Sequence, residues 1–349
     1  MKKRIAVIFG GCSAEYEVSL QSAFAVAGHL DGEKYELILL GITREGKWYR
    51  YDGPLECLRN GSWDRTEFCV PAILSPGRDV HGLLELRRDE TRTVYLDAAF
   101  PLIHGTNGED GTLQGLLELS GIPYVGCGVL SSAVCMDKEI AHKLVGLAGI
   151  KTPNSVVLYD KLIPESELLR QTEGLSYPLF VKPANSGSSF GISKISDSRA
   201  LSAAVSNAFC FDEKVIVEEA VAGFEVGCAI LGNNTLTVGA VDEIELANGF
   251  FDFYEKYTLT TSKIHMPARI TGETADRVKQ AARTVYRALS CRGMARVDLF
   301  LTPDGGIYFN EVNTIPGFTS HSRYPAMLKG IGLEFSEILD RLIELAVKA

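Results

Sequence analysis

The chain has 349 residues, which at about 100–200 residues per domain gives two or three domains. Hydrophobic residues make up 46% and charged residues 23%, so a packed core forms and a disordered chain is excluded. With 35 Lys and Arg against 44 Asp and Glu, the net charge of −9 argues against nucleic acid or an anionic membrane as the main partner, though not against phosphate held by a few local cations.

The opening MKKRIAVIFGG is basic, but its apolar run (5–9) is shorter than the about 7–15 residues of a signal peptide. No run nears the about 18 apolar residues of a membrane span. The eight Cys are scattered without a C-x-x-C pair and read as free buried thiols of a reducing cytoplasm.

In chain order, residues 5–9 read as a strand, 19–30 as a helix and 36–42 as a second strand. This βαβ opening predicts a parallel sheet. Residues 45–97 are mixed, with a hairpin signal in GKWYRYDG and a loop in SPGRDVHG. Residues 98–103 form a strand candidate running into HGTNGEDGT. A helix over 112–119 follows, with Glu109 and Asp110 near its start, where they favour the dipole. Residues 121–128 read as a boundary and 137–148 as a helix. The stretch 179–183 is a strand ending in the loop NSGSSFG. Strands are expected over 215–219, 225–231 and 235–244, then a helix over 273–289, strands over 295–301 and 306–312, and a closing helix over 334–347.

The strongest physical signal is ARVDLFLTPDGGIYFNEVN (295–313). Asp-Gly between two strand-like runs marks a hairpin. With Asp304 and Gly305 as a two-residue loop, Asp298 faces Glu311 and Arg296 faces Asn313, with Cβ atoms about 4.5–5.5 Å apart across the ladder. Two opposed carboxylates repel unless a cation lies between them. With an amide oxygen beside them they form a hard-oxygen set suited to Mg²⁺. The alternative is a solvated sheet edge. VKPANSGSSFG (181–191) places Lys182 at a strand end before a small-residue loop able to approach phosphate. GGCSAEYEVSLQSA (10–23) puts Glu15 at a helix start beyond a strand, where a ligand ammonium or only the helix dipole meets it. FFDFYEKYTLTTSK (250–263) suits a lid carrying Lys256, and NTIPGFTSHSRYP (313–325) offers the Gly317 N–H, Ser322 and Arg323 to a substrate.

GGCSAEYEVSLQS (10–22), HGTNGEDGTLQG (104–115), MDK (136–138), VKPANSGSSFG, EEAVAGFE (218–225), FFDFYEKY (250–257), ARVDLF (295–300) and NEVNTIPGFTSHS (310–322) occur together in one order. Jointly they resemble the D-alanine–D-alanine ligase family, from residue 4 to about residue 345 apart from 45–97. In detail they look like its VanG-type D-alanine–D-serine branch, associated with vancomycin resistance. The resemblance implies an α/β fold, α+β in its C-terminal part: a three-domain ATP-grasp with an N-terminal Rossmann-like parallel sheet. The implied segments are an N-terminal substrate-binding domain 1–126, a central ATP-grasp subdomain 127–217, and a C-terminal subdomain 218–349 with the metal site and a lid over 249–263.

The same resemblance implies the roles. Glu15, Ser188 and Tyr257 would hold the first D-alanine. Lys138, Lys182 and Lys256 would contact ATP phosphates, Glu218, Glu219 and Val221 would border the adenine, and Glu225 would meet the ribose. Asp298, Glu311 and Asn313 would bind two Mg²⁺, with Mn²⁺ as a substitute. Arg296 and the Gly317 N–H would stabilise an oxyanion, and Ser322 would receive the second substrate's carboxylate. Phe251 and Arg323 look like the D-serine-using branch, since a basic residue offers a donor to a serine hydroxyl. Tyr257 is retained as in dipeptide-forming rather than D-lactate-using members. The implied activity is ATP-dependent ligation of D-alanine to D-serine for peptidoglycan precursors, in a cytoplasmic homodimer that binds no nucleic acid and does not insert in membranes. The alternatives are a D-alanine–D-alanine ligase or another ATP-grasp carboxylate–amine ligase.

Overall fold

The computed structural model describes residues 2–187, 190–246, 262–319 and 322–348. The first sheet holds β1 (Lys3–Gly10), β2 (Tyr35–Ile42), β3 (Trp48–Tyr51), β4 (Cys69–Leu74), β5 (Gly82–Leu86), β6 (Thr91–Tyr95) and β7 (Ala98–Pro101), in spatial order β6-β5-β4-β3-β2-β1-β7. Only the β1–β2 and β1–β7 pairs are parallel. The expected parallel sheet is therefore parallel at one end and an antiparallel meander at the other. The β2–β3, β4–β5 and β5–β6 links are too short for the crossover a parallel pair requires, and the longer β3–β4 link carries only the short helix Glu56–Arg59 before its antiparallel return.

That stretch also fills the core. Trp63 is fully buried, its ring edge-on to Phe9 at 4.9 Å, and its Nε1 donates to the Tyr16 hydroxyl at 2.8 Å. The Tyr16–His29 helix is thereby tied to this stretch, and it shares one core with Phe9 and Trp63. The Phe335–Val347 helix packs against the same core through Ile338, Leu339, Leu342 and Ile343, at helical spacing. Each such side chain contributes about 1.5–3 kcal/mol on burial.

The second sheet is antiparallel, in the order β10-β9-β11-β8, from β8 (Ser155–Leu158), β9 (Leu179–Pro183), β10 (Ser193–Ile195) and β11 (Val215–Glu219). The third is also antiparallel, in the order β14-β13-β12-β15-β16, from β12 (Phe224–Leu231), β13 (Thr237–Leu246), β14 (Ser262–His265), β15 (Met294–Leu301) and β16 (Ile307–Asn313). The Gly272–Ala288 helix covers it with Val278, Ala282 and Val285, and Thr271 Oγ1 caps the helix by accepting from the Thr274 N–H at 3.2 Å. A helix that sequence reading passed over, Val129–Met136, precedes the expected one at Lys138–Leu147.

All eight Cys are free; Cys127, Cys135 and Cys228 are buried, whereas Cys12 and Cys210 are exposed. Among the described residues no helix is long and apolar enough to cross a membrane.

Candidate active site

The β15–β16 hairpin brings Asp298 opposite Glu311 and Arg296 opposite Asn313. It does so by a different turn from the two-residue loop expected. The Thr302 N–H donates to the Gly306 carbonyl and the Gly305 N–H to the Thr302 carbonyl, both at 2.9 Å, so Pro303, Asp304 and Gly305 form a three-residue loop with Gly305 at φ +81°. This shifts the ladder by one, so that Leu301 faces Ile307 and Leu299 faces Phe309. A bulge after Asp298 leaves Asn310 as the extra residue and restores the pairing at the carboxylates.

Asp298 is 1% exposed and heavily engaged. The Arg296 Nε and Nη2 lie 2.9 and 2.8 Å from its two oxygens, Asn313 Nδ2 donates at 2.9 Å, and Arg323 Nη2 stands 3.4 Å away. Arg323 is held by Asp242, with Nε–Oδ2 at 2.7 Å and Nη2–Oδ1 at 2.8 Å, and its Nη1 reaches Glu225 at 2.8 Å. Burial opposes both guanidinium charges, but Asp298 beside Arg296 and Asp242 beside Arg323 hold both above the usual arginine range.

Gly227 makes this cluster fit. It lies between Asp242 and Asp298 on neighbouring strands, and a Cβ there would stand 2.4 Å from Arg323 Nη2. Sequence reading therefore missed Asp242, whose only signal is an acid in the apolar run of β13. It also read Arg323 as a donor for a substrate hydroxyl. The structure instead spends much of that donor set on carboxylates, because 8% exposure leaves an unpaired guanidinium too costly. Glu225, expected at the ribose, shares in this cluster.

On the opposite side, β1 empties into Gly10 and Gly11, both in the left-handed region. Glu15 follows, and its Oε2 lies close against Gly105 and Gly187: a Cβ on either would stand 2.6 or 3.3 Å from it. Glu15, Glu109, Lys138, Gly187, Glu311 and Asn313 line one cleft. Segments far apart in sequence thus converge.

Lys138 Nζ donates to the Ser186 carbonyl at 2.6 Å. Its neighbours are fixed by Lys214, whose ammonium bonds Asp137 and, at 2.9 Å, Glu139. Burial raises Glu139, yet hydrogen bonds from Lys143, Lys214 and Tyr159 outweigh it and bring its pKa down to about 2. The stabilisation is present above the ordinary value of 4.5 and is lost as pH falls toward 2. We expect Glu139→Gln to lower the unfolding free energy at neutral pH by on the order of 2 kcal/mol, read as a lower urea midpoint, and to flatten the fall of that midpoint across the acid window. An unchanged midpoint at pH 7 would remove Glu139 from this role.

Lys182 pairs with Glu218 across β9 and β11, and Glu218 Oε2 is buried without a hydrogen-bond partner. An orphan acceptor beside an ammonium suits a ligand carrying both a donor and negative charge, which is the chemistry of an adenine nucleotide. Glu219, expected beside the adenine, accepts from Asn154 Nδ2 and the Ser176 N–H, both at 2.8 Å, so its carboxylate ties β11 to adjacent segments. Val221 is half-buried just beyond that strand.

Asp298, Glu311 and Asn313 have the donor chemistry for Mg²⁺. Among the described residues no three His, Cys, Asp or Glu side chains converge as a metal set, so the amide of Asn313 is needed as the third donor.

Gly317 and Ser322 adjoin: a Cβ on Gly317 would meet Ser322 Oγ at 2.9 Å. The stretch between Asn313 and Ser322 is gripped from the first sheet's loops. The Ile315 N–H donates to Glu109 Oε1 at 2.7 Å, and His104 Nδ1 lies 2.8 Å from the Ile315 carbonyl. The Phe318 N–H donates to Ser22 Oγ at 3.2 Å, and that oxygen lies 3.0 Å from His104 Nε2. Burial lowers His104, so the ring is neutral. A carbonyl can only accept, which puts its proton on Nδ1. Glu109 was expected merely to favour a helix dipole. Asp110 does that work, accepting from the Thr112 N–H at 3.0 Å, while Glu109 bridges to Ile315. Burial and the neighbouring Glu15 push Glu109 up to about 8, against the lowering effect of its two backbone hydrogen bonds. Ser188, Phe251, Lys256 and Tyr257, with residues 249–261 of the expected lid, lie outside the described residues.

Two family models match the chain, "D-ala D-ala ligase N-terminus" over residues 4–127 and "D-ala D-ala ligase C-terminus" over 144–344. A putative D-alanine–D-lactate ligase of Streptomyces coelicolor is 49% identical over 99% of this chain and 97% of its own. A D-alanine–D-alanine ligase of Caldicellulosiruptor bescii is 46% identical over 99% and 96%. The crystal structure of the VanG D-Ala:D-Ser ligase from Enterococcus faecalis matches with a TM-score of 0.92 and 56% identity, over 99% of this chain and all of that one. The mixed α/β architecture is shared with it. The chain belongs to the D-alanine–D-alanine ligase family.

Proposed function

We propose that this protein joins D-alanine to D-serine at the expense of ATP. The observation that carries the reading is the convergence of Glu15, Lys138, Glu311 and Asn313 on one cleft, with the Arg296–Asp298 pair on the strand adjoining the Glu311–Asn313 end. The likeness to VanG supports D-serine as second substrate. In this reading a carboxylate oxygen of D-alanine attacks the γ-phosphorus of ATP, giving D-alanyl phosphate and ADP. Glu15, with Ser188 and Tyr257, binds the ammonium end, while Lys138, Lys182 and Lys256 face the phosphates. Two magnesium ions held by Asp298, Glu311 and Asn313 would supply charge neutralisation for the transferred group. The D-serine amine then attacks the acyl carbon and phosphate leaves. Arg296 and the Gly317 N–H face the oxyanion, and Ser322 meets the carboxylate of D-serine. Closure of 249–263 keeps water from the acyl phosphate. Arg323 acts on selectivity with Phe251, as part of a charged cluster with Asp242 and Glu225. We extend the reading to a cytoplasmic homodimer serving cell-wall synthesis.

A second reading, with D-lactate or D-alanine as acceptor, draws on the relatives at 49% and 46%. The retained Tyr257 weighs against D-lactate. The test is ADP release with D-alanine alone and with added D-serine or D-lactate, with products identified by mass spectrometry. D-Ala-D-Ser should dominate when both acceptors are equimolar with D-alanine; D-Ala-D-Ala or the depsipeptide as main product would overturn the assignment.

A further inference from the structure

The segment that presents Gly317 is anchored from the other side of the cleft. Both oxygens of one carboxylate are used: Glu109 Oε1 accepts from the Ile315 N–H at 2.7 Å, and Oε2 from the Gly105 N–H at 2.9 Å. Gly105 is the residue against which Glu15 Oε2 rests. One side chain therefore sets the distance between the wall that carries Glu15 and the loop that carries Gly317. The far end of the loop is held separately, by the Phe318 N–H on Ser22 Oγ. Pro316 and Gly317 lie between the two anchors, and proline has no N–H to add a third. The direction of the Gly317 N–H thus depends on where Ile315 and Phe318 are pinned.

We propose that Glu109 is a positioning residue for the second half of the reaction: it pins Ile315 so that the Gly317 N–H points at the oxyanion while the Glu15 wall stays in register. The proposal rests on the ligase reading above. Formation of the acyl phosphate asks little of Gly317, whereas attack by the amine on the acyl carbon builds the oxyanion that this N–H faces. Loss of the anchor should therefore slow the second half more than the first. Glu109→Gln keeps the shape but replaces one acceptor by an NH₂, which confronts either the Ile315 or the Gly105 N–H donor to donor.

The experiment compares wild type, Glu109→Gln and the control Asp110→Asn, which likewise sets an NH₂ against one of two backbone donors, the Asn107 or the Thr112 N–H, but touches neither Ile315 nor Gly105. It measures kcat, KM for ATP, and positional isotope exchange in ATP with D-alanine present, which reports reversible phosphoryl transfer. For Glu109→Gln we expect kcat to fall about 10–100-fold, with KM for ATP within about twofold and exchange within about threefold of wild type. The ratio of exchange to turnover then rises. Asp110→Asn should leave that ratio unchanged. If Glu109→Gln turns over like wild type, or if exchange and turnover fall by one common factor, the proposal is overturned. Should Glu109→Gln fail to fold, Glu109→Asp, which keeps the carboxyl group and shortens the reach, is read by the same ratio. Failure of the ligase reading is distinct, because the wild type would then release no ADP with any D-amino acid.

Discussion

Asp298→Asn lowers kcat by about 10³-fold or more and destabilises the fold, because this one carboxylate serves two arrangements. In the proposed reaction it is a ligand to the divalent ions. In the protein alone it neutralises a partly buried arginine and a buried one: Arg296 Nη2 at 2.8 Å and Arg323 Nη2 at 3.4 Å. Arg323 keeps Asp242 and Glu225 after the change, but Arg296 loses its ion-pair partner at a site where its side chain is 14% exposed. Breaking a buried pair from one side costs about 3–5 kcal/mol; the surviving Asn amide oxygen returns part of that. Urea midpoint and ADP release, measured on the same preparation, separate the two effects. A folded Asp298→Asn enzyme with wild-type turnover would sink the metal assignment.

Arg296→Ala should reduce kcat by about 10²–10³-fold, the range for removing one oxyanion donor. The fold should suffer less than in the first case, since Asp298 retains Asn313 and Arg323. Arg296→Lys separates charge from shape: it keeps the cation but loses the planar fork that meets Asp298 through Nε and Nη2. We expect it to recover only part of the lost rate. KM for ATP should move little in both variants, because the guanidinium stands at the acyl centre of the proposed site. Turnover of Arg296→Ala at the wild-type rate refutes the oxyanion role.

Much of the site was legible because its signals are local. Asp-Gly between two apolar runs announced the β15–β16 hairpin, and the stretch 179–183 was read with the bounds of Leu179–Pro183. What escaped was long-range. Glu109 meets a residue 206 positions away, and Arg323 meets Asp242 across 81. No pattern within a helix or strand records such pairs. Residues 45–97 were opaque for another reason: β6 has one buried position in five and β3 only four residues, so neither shows the alternation that marks a strand. The ties of the Glu219 carboxylate to Asn154 and Ser176, 65 and 43 positions away, were likewise beyond local pattern.

The three-residue turn and the extra Asn310 are two offsets of one residue that cancel before the ladder reaches Asp298. Neither is tolerable alone, since a single slip would turn every side chain of one strand toward the wrong face. Chains built on this plan can therefore gain or lose them only as a couple. A descendant with a tighter reversal here must also have straightened its last strand, and one that kept the kink must have kept the longer reversal.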